Sequence, residues 1–191
     1  QLREKFNCTV VLRLKHNLSH LFDQKKIKVI SEKDSIPSHD YHNHLMSLPG
    51  IFYKKNKKFP KNRNFIQFDK KNFLKWENYF KSFKGVKVAI NADSTLRTNA
   101  TGQLQRMIPI ETFKTLTELK NINFFIIQRD FQKNNLNIIN QFKNVNYFET
   151  LDKTVNPFED TIGIIKNMDL IITADTSIAH LSATLEKKTW I

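Results

Sequence analysis

The sequence predicts an α/β fold, a parallel sheet with helices on both faces, and three observations predict it. From Val86 onward, short apolar runs alternate with amphipathic ones, strand then helix, to the end of the chain. The apolar runs are continuous, as in strands buried on both faces, and lack the polar/apolar alternation of a half-exposed strand. The closing stretch, LIITADTSIAHLSATLEKKTWI, reads as a βαβ unit. An apolar run at 170–173 meets the polar turn Asp175-Thr176-Ser177, Ile178, Leu181 and Leu185 follow at i, i+3, i+7, and Thr189-Trp190-Ile191 returns to strand. Such units use right-handed crossovers.

In chain order, FNCTVVLRL (6–14) reads as a strand, NLSHLFDQ as a helical turn behind it, and KIKVIS (26–31) as a second strand. DYHNHLMSLPG is a mixed segment closed by Pro49-Gly50, and residues 53–75 are basic and aromatic without clear period. FLKWENYFKSF (73–83) is an amphipathic helix. After Gly85, VKVAINA (86–92) is a buried strand, followed by a polar loop over 93–106. Pro109 opens a helix through Leu119, and NFFIIQ (123–128) is the next strand. FQKNNLNIINQF is helical, VNYFET a strand, and PFEDTIGIIKN a helix with Pro157 in its first turn. The break near 75–85 divides the chain into 1–84, the end of one α/β lobe with a linker helix, and 85–191, a second lobe.

The chain of 191 residues holds one ordinary domain or two small ones, and 16 Phe with 40% hydrophobic content supply a core. It does not begin with Met and ends inside an element, so it reads as a piece of something longer. No run has the length of a membrane span, and no signal peptide is recognisable. Cys8 is the single cysteine, in a strand-like run, which excludes an intrachain disulfide and suits a reducing, cytoplasmic setting. The net charge of +13 raises a nucleic-acid reading. Lysines are scattered along the chain, however, and the densest run, FYKKNKKFPKNRNF, reads as a solvated connection. No nucleic-acid partner is therefore expected. Small phosphate-bearing molecules, or peripheral contact with an anionic membrane surface, also suit a basic protein.

In doubly wound sheets, ligands bind beyond the carboxyl ends of the strands. Three loops qualify: 91–106, Gln128-Arg129-Asp130, and 174–177. The last has the richest chemistry, because free amides at a helix N-terminus favour an anion such as a diphosphate. The dipole contributes only about 0.3–1 kcal/mol when exposed, so Arg97, Arg106 and Arg129 are the candidate cations. Each has a plainer alternative. Asp175 reads equally as a helix N-cap, His180 as a solvated helical histidine, Arg106 as a helix start and Arg129 as a surface charge. His39, Asp40, His42 and His44 lie close together, but no Cys pair or second acidic cluster completes a metal site, and none is expected. With 4 Gly, a glycine-rich nucleotide loop is excluded within this chain.

These stretches resemble a known family. MDLIITADTSIAHLSATLEKKTWI is similar to the donor-site segment of bacterial glycosyltransferases of the heptosyltransferase-like superfamily, closest to those found downstream of tetratricopeptide repeats. DYHNHLMSLPGIF is similar to a segment closing that family's amino-terminal domain, and VKVAINADSTLRTNATGQLQRMIPIETF to its strand, polar loop and Arg-x-Ile-Pro turn. The resemblance implies a GT-B-like fold of two Rossmann-like lobes, both truncated here. It implies a metal-independent enzyme that moves a sugar from a nucleotide-diphosphate-sugar to a hydroxyl of a glycan or protein, without a cofactor beyond that donor. Carried over by position, Asp175, Thr176 and Ser177 would touch the donor's ribose or diphosphate, His180 would support their turn, and Arg106 would face the phosphates. Asp40 and His42 match the first-lobe motif and take the catalytic role. The alternative is a non-catalytic GT-B-like module of a repeat protein that binds nucleotide or glycan. Met107, Glu186 and His44 stand where the family carries Ser, Gly and Pro.

Overall fold

The computed structural model describes residues 6–22, 27–57, 66–92, 108–128, 133–148, 151, 156 and 158–191. β1 (Val11–Leu14) and β2 (Lys28–Ser31) form a two-stranded parallel sheet, with Val11 opposite Lys28 and Leu14 opposite Ser31. β1 is shorter than the expected 6–14, because only four residues have partners on β2 and Asn7 takes a left-handed φ of 46°. Cys8 therefore precedes the strand and is exposed. The turn behind β1 is a 3-10 helix, His16–Leu21.

After an irregular stretch over residues 35–44, a 3-10 turn (Leu45–Ser47) leads into α1 (Leu48–Asn56). Pro49-Gly50 thus sits in the first turn of a helix and does not close the segment, a position where proline's missing N–H costs nothing. α2 spans Lys70–Phe80, three residues earlier than expected, because the Asp69 side chain caps it by accepting from the Lys71 amide at 2.9 Å.

The second sheet has five strands, all parallel: β3 (Val86–Asn91), β4 (Ile122–Ile126), β5 (Val145–Tyr147), β6 (Leu170–Thr173) and β7 (Thr189–Trp190). Their spatial order is β5-β4-β3-β6-β7. Val88, Ile90, Phe124 and Ile126 pack on one face with Ile110, Phe113 and Ile139, the last from α3 (Lys133–Ile139). Ala89, Phe125, Ile127 and Ile171 face the other way. They meet Trp76 and Phe80 of α2, residues of α4 (Glu159–Lys166) and residues of α5 (Ser177–Thr184). Both faces are covered, which is why the middles of the central strands are apolar. The connections β3–β4 and β4–β5 cover one face, and β5–β6 and β6–β7 the other. That change of face accompanies the reversal of strand order at β3.

One expected helix does not form. Residues 109–119 hold two 3-10 turns, Ile110–Phe113 and Leu116–Glu118. Thr112, Thr115 and Thr117 are β-branched, and the Thr117 hydroxyl donates to the Lys114 carbonyl at 2.7 Å, which competes with regular helix bonding. Pro157 lies outside the described residues, and α4 begins after Phe158. Gly85, at φ 88°, permits the turn into β3, since a Cβ there would stand 2.3 Å from the Asn121 carbonyl oxygen.

The two sheets are separate, and several side chains pack between them. Leu21 belongs to the α2/α4 side of the core, Phe22 packs against it, and Phe22 forms an antiparallel bridge with Ile66. α2 is fastened to α4 by Asp160, which accepts from the Trp76 indole at 2.9 Å and from the Lys75 ammonium at 3.1 Å. Among the described residues, no helix is long and apolar enough to cross a membrane.

Candidate functional site

Numbered within the second sheet alone, the strand order is 3-2-1-4-5, so the order reverses between β3 and β6. In an open α/β sheet that reversal leaves a crevice beyond the carboxyl ends of the two strands. β3 ends at Asn91 and β6 at Thr173, and the two residues lie opposite one another in the register. The chain then continues from β6 through Ala174 and Asp175 into α5, whose N-cap is Thr176.

Here three polar side chains are drawn together at the top of an apolar core. Asn91, only 4% exposed, donates from Nδ2 to the Thr176 hydroxyl at 2.9 Å and to the Thr173 hydroxyl at 3.3 Å. Thr173, fully buried, donates its own proton to the Ala174 carbonyl at 2.8 Å. The Ala174 amide in turn donates to the Asn91 carbonyl at 2.9 Å. The Thr176 hydroxyl also accepts from the Ile178 amide at 3.3 Å, which caps α5. The cap is therefore Thr176 and not Asp175, because the chain runs extended through Thr176 (φ −135°) and enters the helix at Ser177.

Asp175 and Ser177 are exposed at this turn, and Thr176 is half-buried. No described residue accepts a hydrogen bond from the Thr176 or Ser177 amide, so both donors stand at the helix N-terminus. His180 is one turn further along α5 and exposed, while Ile178, Leu181 and Leu185 are buried as their spacing requires. The loop that leaves β3 departs and returns at the same place, since the Ile108 amide donates to the Ala92 carbonyl at 2.8 Å. Arg97, Arg106 and Arg129 lie outside the described residues.

Asp40 and His42 follow the carboxyl end of β2 and are exposed. The His42 ring meets His39 edge-on at 5.4 Å, and His39 Nδ1 lies 2.9 Å from the Pro37 carbonyl. Among the described residues no hydrogen bond joins Asp40 or His42 to the β6–α5 turn, and no group of three or more His, Cys, Asp or Glu side chains could hold a metal. Sequence reasoning names the loops that begin at Asn91 and Gln128 but not these two side chains. Both are buried polar residues ending apolar runs, and Gln128 Oε1 has no hydrogen-bond partner among the described residues. A polar residue in that position was the available signal.

No protein-family model and no curated protein matches the chain. Among solved structures, it is similar to the glycosyl transferase family 9 protein from Veillonella parvula, at 10% identity and a TM-score of 0.54, covering 98% of this chain and 52% of that one. It also matches E. coli heptosyltransferase WaaC with ADP-2-deoxy-2-fluoro heptose, at 14% identity and a TM-score of 0.45, covering 73% of this chain and 41% of that one. The chain thus spans about half the length, 41–52%, of the structures it matches. In fold, it is an α/β protein of parallel sheets similar to the GT-B glycosyltransferases.

Proposed function

We propose that the chain belongs to a metal-independent glycosyltransferase, with 85–191 as the donor lobe and 1–84 as the end of the acceptor-side lobe. One observation carries this reading: the strand order reverses where Asn91 and Thr176 meet at 2.9 Å, beside the exposed Asp175 and Ser177. A nucleotide-diphosphate-sugar is the ligand that suits the place. Its diphosphate takes the free amides at the start of α5, and Arg106, two residues before the Ile108 anchor, supplies positive charge. The family 9 name of the Veillonella parvula protein agrees with this.

In the reaction, a base removes the proton of an acceptor hydroxyl, and its oxygen attacks the anomeric carbon of the donor. The bond from that carbon to the phosphate oxygen breaks, and the nucleoside diphosphate leaves with the electron pair. Amides and arginine stabilise the charge developing on it. Asp40 and His42 are assigned to the acceptor side, as base and orienting partner. The acceptor is a glycan or protein hydroxyl, and the setting is cytoplasmic.

Calorimetric titration of the full-length protein with nucleoside diphosphates tests the reading. Asp175→Ala and Arg106→Ala should each weaken binding about tenfold to a hundredfold, the loss of roughly 1.5–3 kcal/mol expected for a hydrogen bond to a charged group. Since Thr176 supplies the cap, Asp175→Ala should leave the melting temperature nearly unchanged. Unaltered affinity in both variants would sink the proposal.

A further inference from the structure

The two sheets meet at the first turn of α4, and the segments that converge there are held in different ways. One is α2. Trp76 and Phe80 are buried in the core beneath the five-stranded sheet, and the buried Asp160 carboxylate accepts from the Trp76 indole and the Lys75 ammonium. Glu159 Oε2 accepts from the Asp69 amide at 3.2 Å, so the start of α4 holds both the cap and the middle of α2. Bonds to a carboxylate are roughly twice as strong as those between neutral groups. The other segment is the turn His16–Leu21, the crossover from β1 to β2, which travels with the two-stranded sheet. Among the described residues of this turn, Leu21 alone is buried, and it enters the same core. His20 also faces Glu159, but Nε2 stands 3.7 Å from Oε1, too far for a hydrogen bond. That nitrogen is buried with no hydrogen-bond partner among the described residues, which works against the contact. The Phe22–Ile66 bridge and the Gln67 amide, which donates to the Leu21 carbonyl at 2.9 Å, complete the attachment. No residue of β1 or β2 is buried, so the strands add no core contact of their own.

We infer that the turn His16–Leu21 is a detachable joint, which leaves the start of α4 while α2 stays packed, so that the two-stranded sheet changes its orientation. Withdrawing the turn uncovers the Leu21 side chain and releases the His20 nitrogen to water. Withdrawing α2 instead opens the core at Trp76 and Phe80 and strips a buried carboxylate of its donors, which costs far more. Openings of unequal cost within one chain are separate events, and the cheaper one is populated first. The joint therefore divides the molecule before α2, which moves with the five-stranded sheet. This holds whichever ligand the protein takes.

Hydrogen exchange in the full-length protein, resolved to single amides, tests it. The Gln67 amide reports the joint, because its acceptor is the Leu21 carbonyl. The Trp76 and Glu77 amides, inside α2, report the helix. After correction for intrinsic rates, Gln67 should exchange at least about tenfold faster than Trp76 and Glu77. Its rate should also depend less on urea, since the smaller opening exposes less surface. Leu21→Ala should speed Gln67 a further tenfold or more, roughly the effect of emptying a core leucine site. Leu21→Val, which serves if the alanine variant does not fold, should raise the same rate by about twofold to tenfold. One rate and one urea slope shared by Gln67, Trp76 and Glu77 would overturn the inference, because turn and helix would then open as a unit. An unchanged Gln67 rate in the variants would overturn it too, since the bond would then open with Leu21 still in place.

Discussion

Phe125→Ala is expected to lower stability by about 3–5 kcal/mol, the range for emptying a large aromatic site in a core. Phe125 lies on β4, paired on both sides, and is fully buried. Its ring meets Phe80 at 4.9 Å and Phe83 at 5.0 Å, both edge-on, and stacks on Phe148 at 6.3 Å. These partners come from α2, the turn after it and the end of β5, so one truncation unpacks three segments. Natural domains have about 5–15 kcal/mol in all, and this change removes a large share. A urea titration should show the midpoint fall with little change in slope. A loss under about 1 kcal/mol would mean that α2 does not depend on this ring.

Gly163→Ala follows, at about 2–4 kcal/mol from the sum of two effects. A Cβ on Gly163 would stand 2.4 Å from Cδ1 and 3.1 Å from Cγ of Trp76. The indole must move, and its 2.9 Å bond to Asp160 is strained or lost. Asp160 is 7% exposed, so the weakened bond falls on a buried carboxylate, where it costs most. Alanine's higher helix propensity returns about 1 kcal/mol at most. Gly50, in α1, is the control, because nothing lies within 4 Å of its added Cβ. Gly50→Ala should therefore stabilise by about 0.5–1 kcal/mol. Equal effects at the two glycines, read by the same urea titration, would contradict the close approach of α2 and α4.

The second sheet was legible because its strands are continuous apolar runs set between amphipathic ones. That pattern follows from burial on both faces, and all five expected strands form, in parallel. Boundaries were less legible because local bonds decide them. The Asp69 cap draws α2 forward, and threonine hydroxyls split the segment after Pro109 into 3-10 turns. The sequence also points to the β6–α5 turn, whose letters carry both the resemblance and the helix-start signal. It cannot show that Thr176 is the cap, nor that Asn91 reaches it from a strand 82 to 85 residues away in the chain. Such a bond depends on strand order, and strand order is a tertiary property.

The most direct measurement is a crystal structure of the full-length protein with a bound nucleoside diphosphate. A diphosphate oxygen should lie within hydrogen-bond distance of the Thr176 and Ser177 amides, beyond the carboxyl ends of β3 and β6. A nucleotide bound elsewhere, with that crevice empty or filled by the protein's own chain, would contradict it.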